Sequence, residues 1–80
     1  MPLYTHVIAY KGETYIAQAR RSNPKGFPDW IEALPPSLRK KVLDPYHGAF
    51  EAVPNRHGVW QRRLTVDGTE LIVTVVQTDE

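Results

Sequence analysis

The chain contains no cysteine. That absence removes disulfide scaffolds, thiolate metal centres and thiol nucleophiles together. Excess charge is nearly absent as well: ten Lys and Arg stand against nine Asp and Glu, for a formal net charge of +1. Dedicated DNA- or RNA-binding domains draw affinity from counterion release at phosphates and carry a clearer basic excess. Apolar runs are short, and none approaches the roughly 20 residues that cross a bilayer. The opening MPLYTHVIAY has neither a basic region nor a long apolar stretch. An unexported, cytoplasmic protein with no membrane partner is the expectation. The five glycines stand one to a turn, so no Gly-rich phosphate cradle is formed.

What is present suits one small folded domain spanning residues 1–80. Hydrophobic residues make up 41% of the chain, too many for disorder. A chain of 80 residues hides only about two thirds of the surface that its unfolded form exposes, so its core must be economical.

Two hairpins can be read directly. Asp67-Gly68 separates VWQRRLTV from TELIVTVV, and Asp-Gly between strand-like runs favours a type I′ turn with positive φ at both positions. The turn fixes the register: Val66 faces Thr69, Leu64 faces Leu71, Arg62 faces Val73 and Trp60 faces Val75. One side then collects Trp60, Leu64, Val66, Leu71, Val73 and Val75, while Gln61, Arg63, Thr65, Glu70, Ile72 and Thr74 fall on the other. Trp60 is thus a core anchor. Arg63 lies within reach of Glu70 or Thr74, and Arg62 interrupts the apolar side, where it must snorkel or sit at the sheet margin. Lys11-Gly12 similarly joins LYTHVIAY to ETYIAQAR. Tyr4, His6, Ile8, Tyr10, Tyr15, Ala17 and Ala19 share one side, and Leu3, Val7, Ala9 and Ile16 the other with Thr5, Gln18 and Arg20. Both sides are substantially apolar, and the pattern does not say which is buried. AFEAVP reads as a further short edge strand ending at Pro54, before a loop over Asn55-Arg56-His57-Gly58.

Helix signals lie between the hairpins. Asn23-Pro24-Lys25-Gly26 reads as a turn. Asp29 followed by Glu32 has the spacing of a capping box opening a short helix through Leu34. Pro36 suits the first turn of a second helix to about Leu43, stopped by Asp44-Pro45, with Leu38 and Val42 as its apolar stripe. The expected fold class is therefore α+β: a small antiparallel sheet of about five strands in the order β-β-α-β-β-β, with one or two short helices packed on one face.

Candidate chemistry is thin. His6, His47 and His57 have no metal-ligand spacing. Ser22 and Ser37 lie outside any nucleophile elbow. Neither a metal, a cofactor nor an enzymatic activity is expected. Two functional readings remain. The first is a small non-enzymatic binding or regulatory protein that acts through association with a protein partner or with itself as a homodimer; small size alone suggests an inhibitor or antitoxin-like role. Its candidate surface is Tyr4, Tyr10 and Tyr15 with Arg62 and Arg63 as rim, because aromatic patches edged by arginine are common at interfaces. The second is a nucleic-acid-binding module using Arg20, Arg21, Lys25, Arg39, Lys40 and Lys41 beside neighbouring aromatics.

Overall fold

The computed structural model describes residues 1–22, 29–42 and 50–79. Its frame is one five-stranded antiparallel sheet: β1 (Leu3–Tyr10), β2 (Glu13–Arg20), β3 (Glu51–Ala52), β4 (Val59–Val66) and β5 (Thr69–Asp79), arranged β2-β1-β5-β4-β3. The two hairpins form the sheet's two sides, and the longest strand, β5, zips onto β1 to join them.

Both reversals are two-residue turns with positive φ at both central positions. Lys11 and Gly12 lie at φ 49° and 77°, Asp67 and Gly68 at 51° and 74°. The β4-β5 register is the expected one, with Val66 opposite Thr69, Leu64 opposite Leu71, Arg62 opposite Val73 and Trp60 opposite Val75. In the other hairpin Tyr10 pairs with Glu13, Ile8 with Tyr15 and Tyr4 with Ala19.

One side of the sheet is covered. Tyr4, Ile8 and Tyr10 of β1, Leu71, Val73 and Val75 of β5 and Val66 of β4 form the core with Trp30, Leu34, Leu38, Val42 and Phe50. Trp60, half-buried, meets the Tyr4 ring edge-on at 5.9 Å. The Tyr10 hydroxyl donates to the Val66 carbonyl at 3.0 Å, tying the N-terminal hairpin to the tip of the C-terminal one. Lys41 makes a second tie by hydrogen-bonding Asp67; that contact raises the Lys41 pKa and lowers that of Asp67.

The expected five-stranded antiparallel sheet is present, but the helical part of the expected α+β class is not. The molecule has little helix and is closer to an all-β sheet carrying two short helical turns. The segment from Asp29 is a 3-10 turn over Asp29–Ala33, and no capping box closes it. Asp29 Oδ1 instead accepts from Arg21 at 2.7 Å. Pro35, which follows the turn after Leu34, bars its continuation as an α-helix. The second helix, α1, spans only Pro36–Arg39, with Pro35 at its N-cap and no side-chain capping bond. Lys40 and Lys41 continue as a turn, and Leu43 lies outside the described residues, as do the expected turn at Asn23 to Gly26 and the Asp44-Pro45 stop. The turns matter as covers: Trp30, Leu34 and Leu38 are their buried side chains. Arg39 holds the first turn's end by donating to the Glu32 and Leu34 carbonyls at 3.3 and 3.1 Å. The expected strand in AFEAVP is only two residues long.

Candidate interaction surface

Every residue of β2 is paired to β1, with no bulge in the register. Its outer side ends the sheet. Exposure alternates along it, with Thr14, Ile16, Gln18 and Arg20 exposed and Tyr15, Ala17 and Ala19 half-buried. Ile16 is the outlier, a large apolar side chain 64% exposed at the middle of the strand. Around it on the uncovered side of the sheet stand Val7, its cross-strand mate, and Ala9, Ile72 and Val76, which the β1-β5 register places beside Val7. Toward the chain termini this apolar area meets a polar ladder, in which Gln18 Nε2 donates to Thr5 Oγ1 at 3.0 Å and Thr5 hydrogen-bonds Thr78. Toward β4 it meets the Gln61–Thr74 hydrogen bond and the Arg63–Glu70 ion pair at 3.7 Å.

The two edges of the sheet are treated differently. An edge strand offers unpaired N–H and C=O groups to any passing strand, and proteins blunt it by shortness, proline, lysine or a bulge. At the far edge β3 is two residues long and is followed shortly by Pro54. β2 has eight regular residues, ETYIAQAR, with neither proline nor lysine. A groove beside β2 is lined by Ile16, Ala17, Gln18 and Ala19, by Arg21, and by Asp29, Glu32 and Ala33 of the 3-10 turn, which stands along part of the strand.

The five residues expected to form an aromatic surface are not gathered into one. Tyr4, Tyr10 and Tyr15 share a side of the sheet, as their register requires, but it is the covered side: Tyr4 is 4% and Tyr10 8% exposed, and Tyr15 packs partly against the core. The hydrophobic transfer that makes tyrosine a good interface residue is here used inside the chain. Arg62 shares that side, its guanidinium 6.0 Å from the Trp30 ring, so it snorkels over the core. Arg63 lies on the opposite, uncovered side and is exposed. What sequence reading missed was Ile16, although the evenly apolar N-terminal hairpin signalled that one of its sides would go uncovered.

The basic residues are scattered and mostly engaged. Arg20 pairs with Asp79 at 3.5 Å, Arg21 with Asp29 at 2.7 Å and Lys41 with Asp67, while Arg39 binds backbone carbonyls. Lys40 is exposed beside α1, and Lys25 lies outside the described residues.

Beneath β2 lies a buried polar cluster. His6 is 1% exposed, and neither of its ring nitrogens has a hydrogen-bond partner; Asp29 Oδ2 and Trp30 Nε1 are likewise buried and unpartnered. Burial pushes the His6 pKa below its ordinary value of 6.5; the Asp29 carboxylate and the Ala17 carbonyl oppose this, and the Arg21 guanidinium adds to it. A His pKa depressed by folding means that the unfolded chain binds the extra proton more readily. Stability from this source is full above pH 6.5 and falls as the pH drops below it. The urea midpoint is therefore expected to decline from neutral pH toward mildly acidic pH, and His6→Leu should flatten that decline. An equally steep decline in His6→Leu would assign the pH sensitivity to other groups. His57 is exposed in the loop before β4, and His47 lies outside the described residues. Among the described residues no group of three His, Asp or Glu side chains is arranged to hold a metal ion, and no helix is long and apolar enough to cross a membrane.

Comparison with protein-family models gives no match, and neither the curated proteins nor the solved structures contain one.

Proposed function

We propose that this chain is a small non-enzymatic binding protein that acts through protein association, and that it does so by accepting a strand at the open edge of β2. The observation that carries this reading is the regular eight-residue β2 edge, beyond which no strand lies among the described residues, with Ile16 exposed at its middle. Backbone pairing supplies affinity in this mode, and side chains beside the new strand supply selectivity. The exposed side chain of Ile16, with Val7 as its cross-strand neighbour, gives an arriving strand an apolar contact. A cytoplasmic setting is part of the same proposal and fits a chain that lacks cysteine.

Association is tested by comparing the native chain with Ile16→Lys and with the double variant Lys40→Glu, Lys41→Glu. Lysine at the middle of the edge opposes strand addition without touching the core. The native chain should show a mass above that of a monomer, or retain a partner in stoichiometric amount. Ile16→Lys should lose this and the lysine variant keep it. A strict monomer that retains nothing overturns the reading. Retardation of DNA or RNA that fades steeply with salt and is lost in the lysine variant would put the nucleic-acid reading in its place.

A further inference from the structure

We propose that the strand received at this edge is β2 of a second copy of the chain, laid antiparallel across a two-fold axis at Ile16, so that the two sheets run on as one. The proposal rests on the association reading above and names its partner.

Backbone polarity comes first. In a two-residue hairpin the residues flanking the turn exchange both hydrogen bonds, and pairs alternate from there. Tyr10 and Glu13 flank Lys11-Gly12, so Glu13, Tyr15, Ala17 and Ala19 bond to β1. Thr14, Ile16, Gln18 and Arg20 then aim their N–H and C=O groups away from the sheet. These are also the exposed members of the alternating pattern. A mate must bring its own outward groups into register with them, and an axis at Ile16 does so: Ile16 meets Ile16, and Thr14 meets Gln18 of the second copy. Tyr15 meets the second copy's Ala17, and Glu13 its Ala19.

Charge selects the direction. β2 begins with Glu13 and ends at Arg20, followed by Arg21. A parallel mate would set like ends together. An antiparallel mate centred at Ile16 puts Glu13 one diagonal step from Arg21 of the second copy, a neighbour relation that long side chains span. Apolar matching selects the same arrangement. Val7 and Ile16 are cross-strand neighbours. Across the join the row becomes Val7, Ile16, Ile16, Val7, and the chain's most exposed isoleucine gains an apolar neighbour. A two-fold axis perpendicular to the sheet also keeps the covered side of each copy on the same side of the joined sheet.

The lack of native cysteine makes the register directly readable, since an introduced thiol is the only one in the chain. Ile16→Cys should form a disulfide-linked dimer under mild oxidation, because facing residues in this register lie about 5.5 Å apart at Cα, within the range of a disulfide. Gln18→Cys alone, also exposed, should stay unlinked, and a mixture of Thr14→Cys with Gln18→Cys should link. Sedimentation of the native chain should show its mass double as concentration rises, and Ile16→Lys should stay at one chain while keeping the native far-UV spectrum. A native chain that is monomeric up to about 1 mM, yet holds a different protein that Ile16→Lys releases, overturns the second copy and leaves the edge reading standing. A dimer unaffected by Ile16→Lys, with no link through residue 16, overturns both.

Discussion

Trp30→Ala should lower stability by about 3 to 5 kcal/mol, as large-to-small changes at fully buried aromatics do. For a chain of 80 residues, whose total is on the order of 4 to 12 kcal/mol, that is enough to leave a large fraction unfolded. The effect has three sources. Trp30 is completely buried and is the largest side chain of the core. It is presented by a 3-10 turn that Arg21 and Arg39 hold by hydrogen bonds, and the indole is that turn's anchor in the core. Its ring also lies under the Arg62 guanidinium, 6.0 Å away, whose stem would lose its support. Trp30→Phe keeps an aromatic filler and removes the buried, unpartnered Nε1, so it should cost clearly less than the alanine change. Urea unfolding followed by far-UV circular dichroism reads both variants, and Trp60 remains as a fluorescent reporter. An unchanged midpoint in Trp30→Ala would mean that the turn folds outside the cooperative core.

The contrast between Trp30 and the hairpins shows which parts of this fold are written locally. The two-residue turns at Asp67-Gly68 and Lys11-Gly12 each take positive φ at both positions, which Asp-Gly favours and which Lys11 accepts under the constraint of its flanking strands. The turn then determines which residue faces which for the whole length of the strands. The register from Trp60 to Val75 was therefore readable from the amino acids alone, and with it the placement of Trp60 rather than Arg63 on the covered side, although Trp60 is there only half-buried and the core anchor is Trp30. The helical segment had no such constraint. Its capping signal, Asp29 with Glu32, depended on a carboxylate staying available to the backbone. Arg21, eight residues away in sequence, takes Asp29 in the fold. That competition is tertiary and leaves no local trace. The tyrosines were ambiguous for a similar reason. Both sides of the N-terminal hairpin are apolar, and the choice between them was made by Trp30, Leu34 and Leu38 packing against one of them. Once Tyr4 and Tyr10 are covered, the remaining apolar side, with Ile16, becomes the surface to test.

Two isoleucines of that hairpin make the division of labour measurable. Ile8→Ala is expected to cost about 2 to 5 kcal/mol, while Ile16→Ala should cost the isolated monomer under about 0.5 kcal/mol. Ile8 is fully buried, paired with Tyr15 on one side and Val73 on the other, so truncation removes transfer energy and opens a cavity between central strands. Ile16 is 64% exposed on the edge strand and has little burial to lose. The order should change when stability is measured at rising protein concentration. If Ile16 contacts a second copy, the native chain gains stability by mass action as it dimerises, and Ile16→Ala gains less. Ile8→Ala should retain the native concentration dependence, because its side chain faces the covered side. Unfolding curves for the native chain and both variants, each taken at low and high concentration, separate the two roles. Equal concentration dependence in the native chain and Ile16→Ala would place any self-association elsewhere on the molecule. A large loss in dilute Ile16→Ala would make that side chain part of the core, and the edge would then need another reason for its lack of protection.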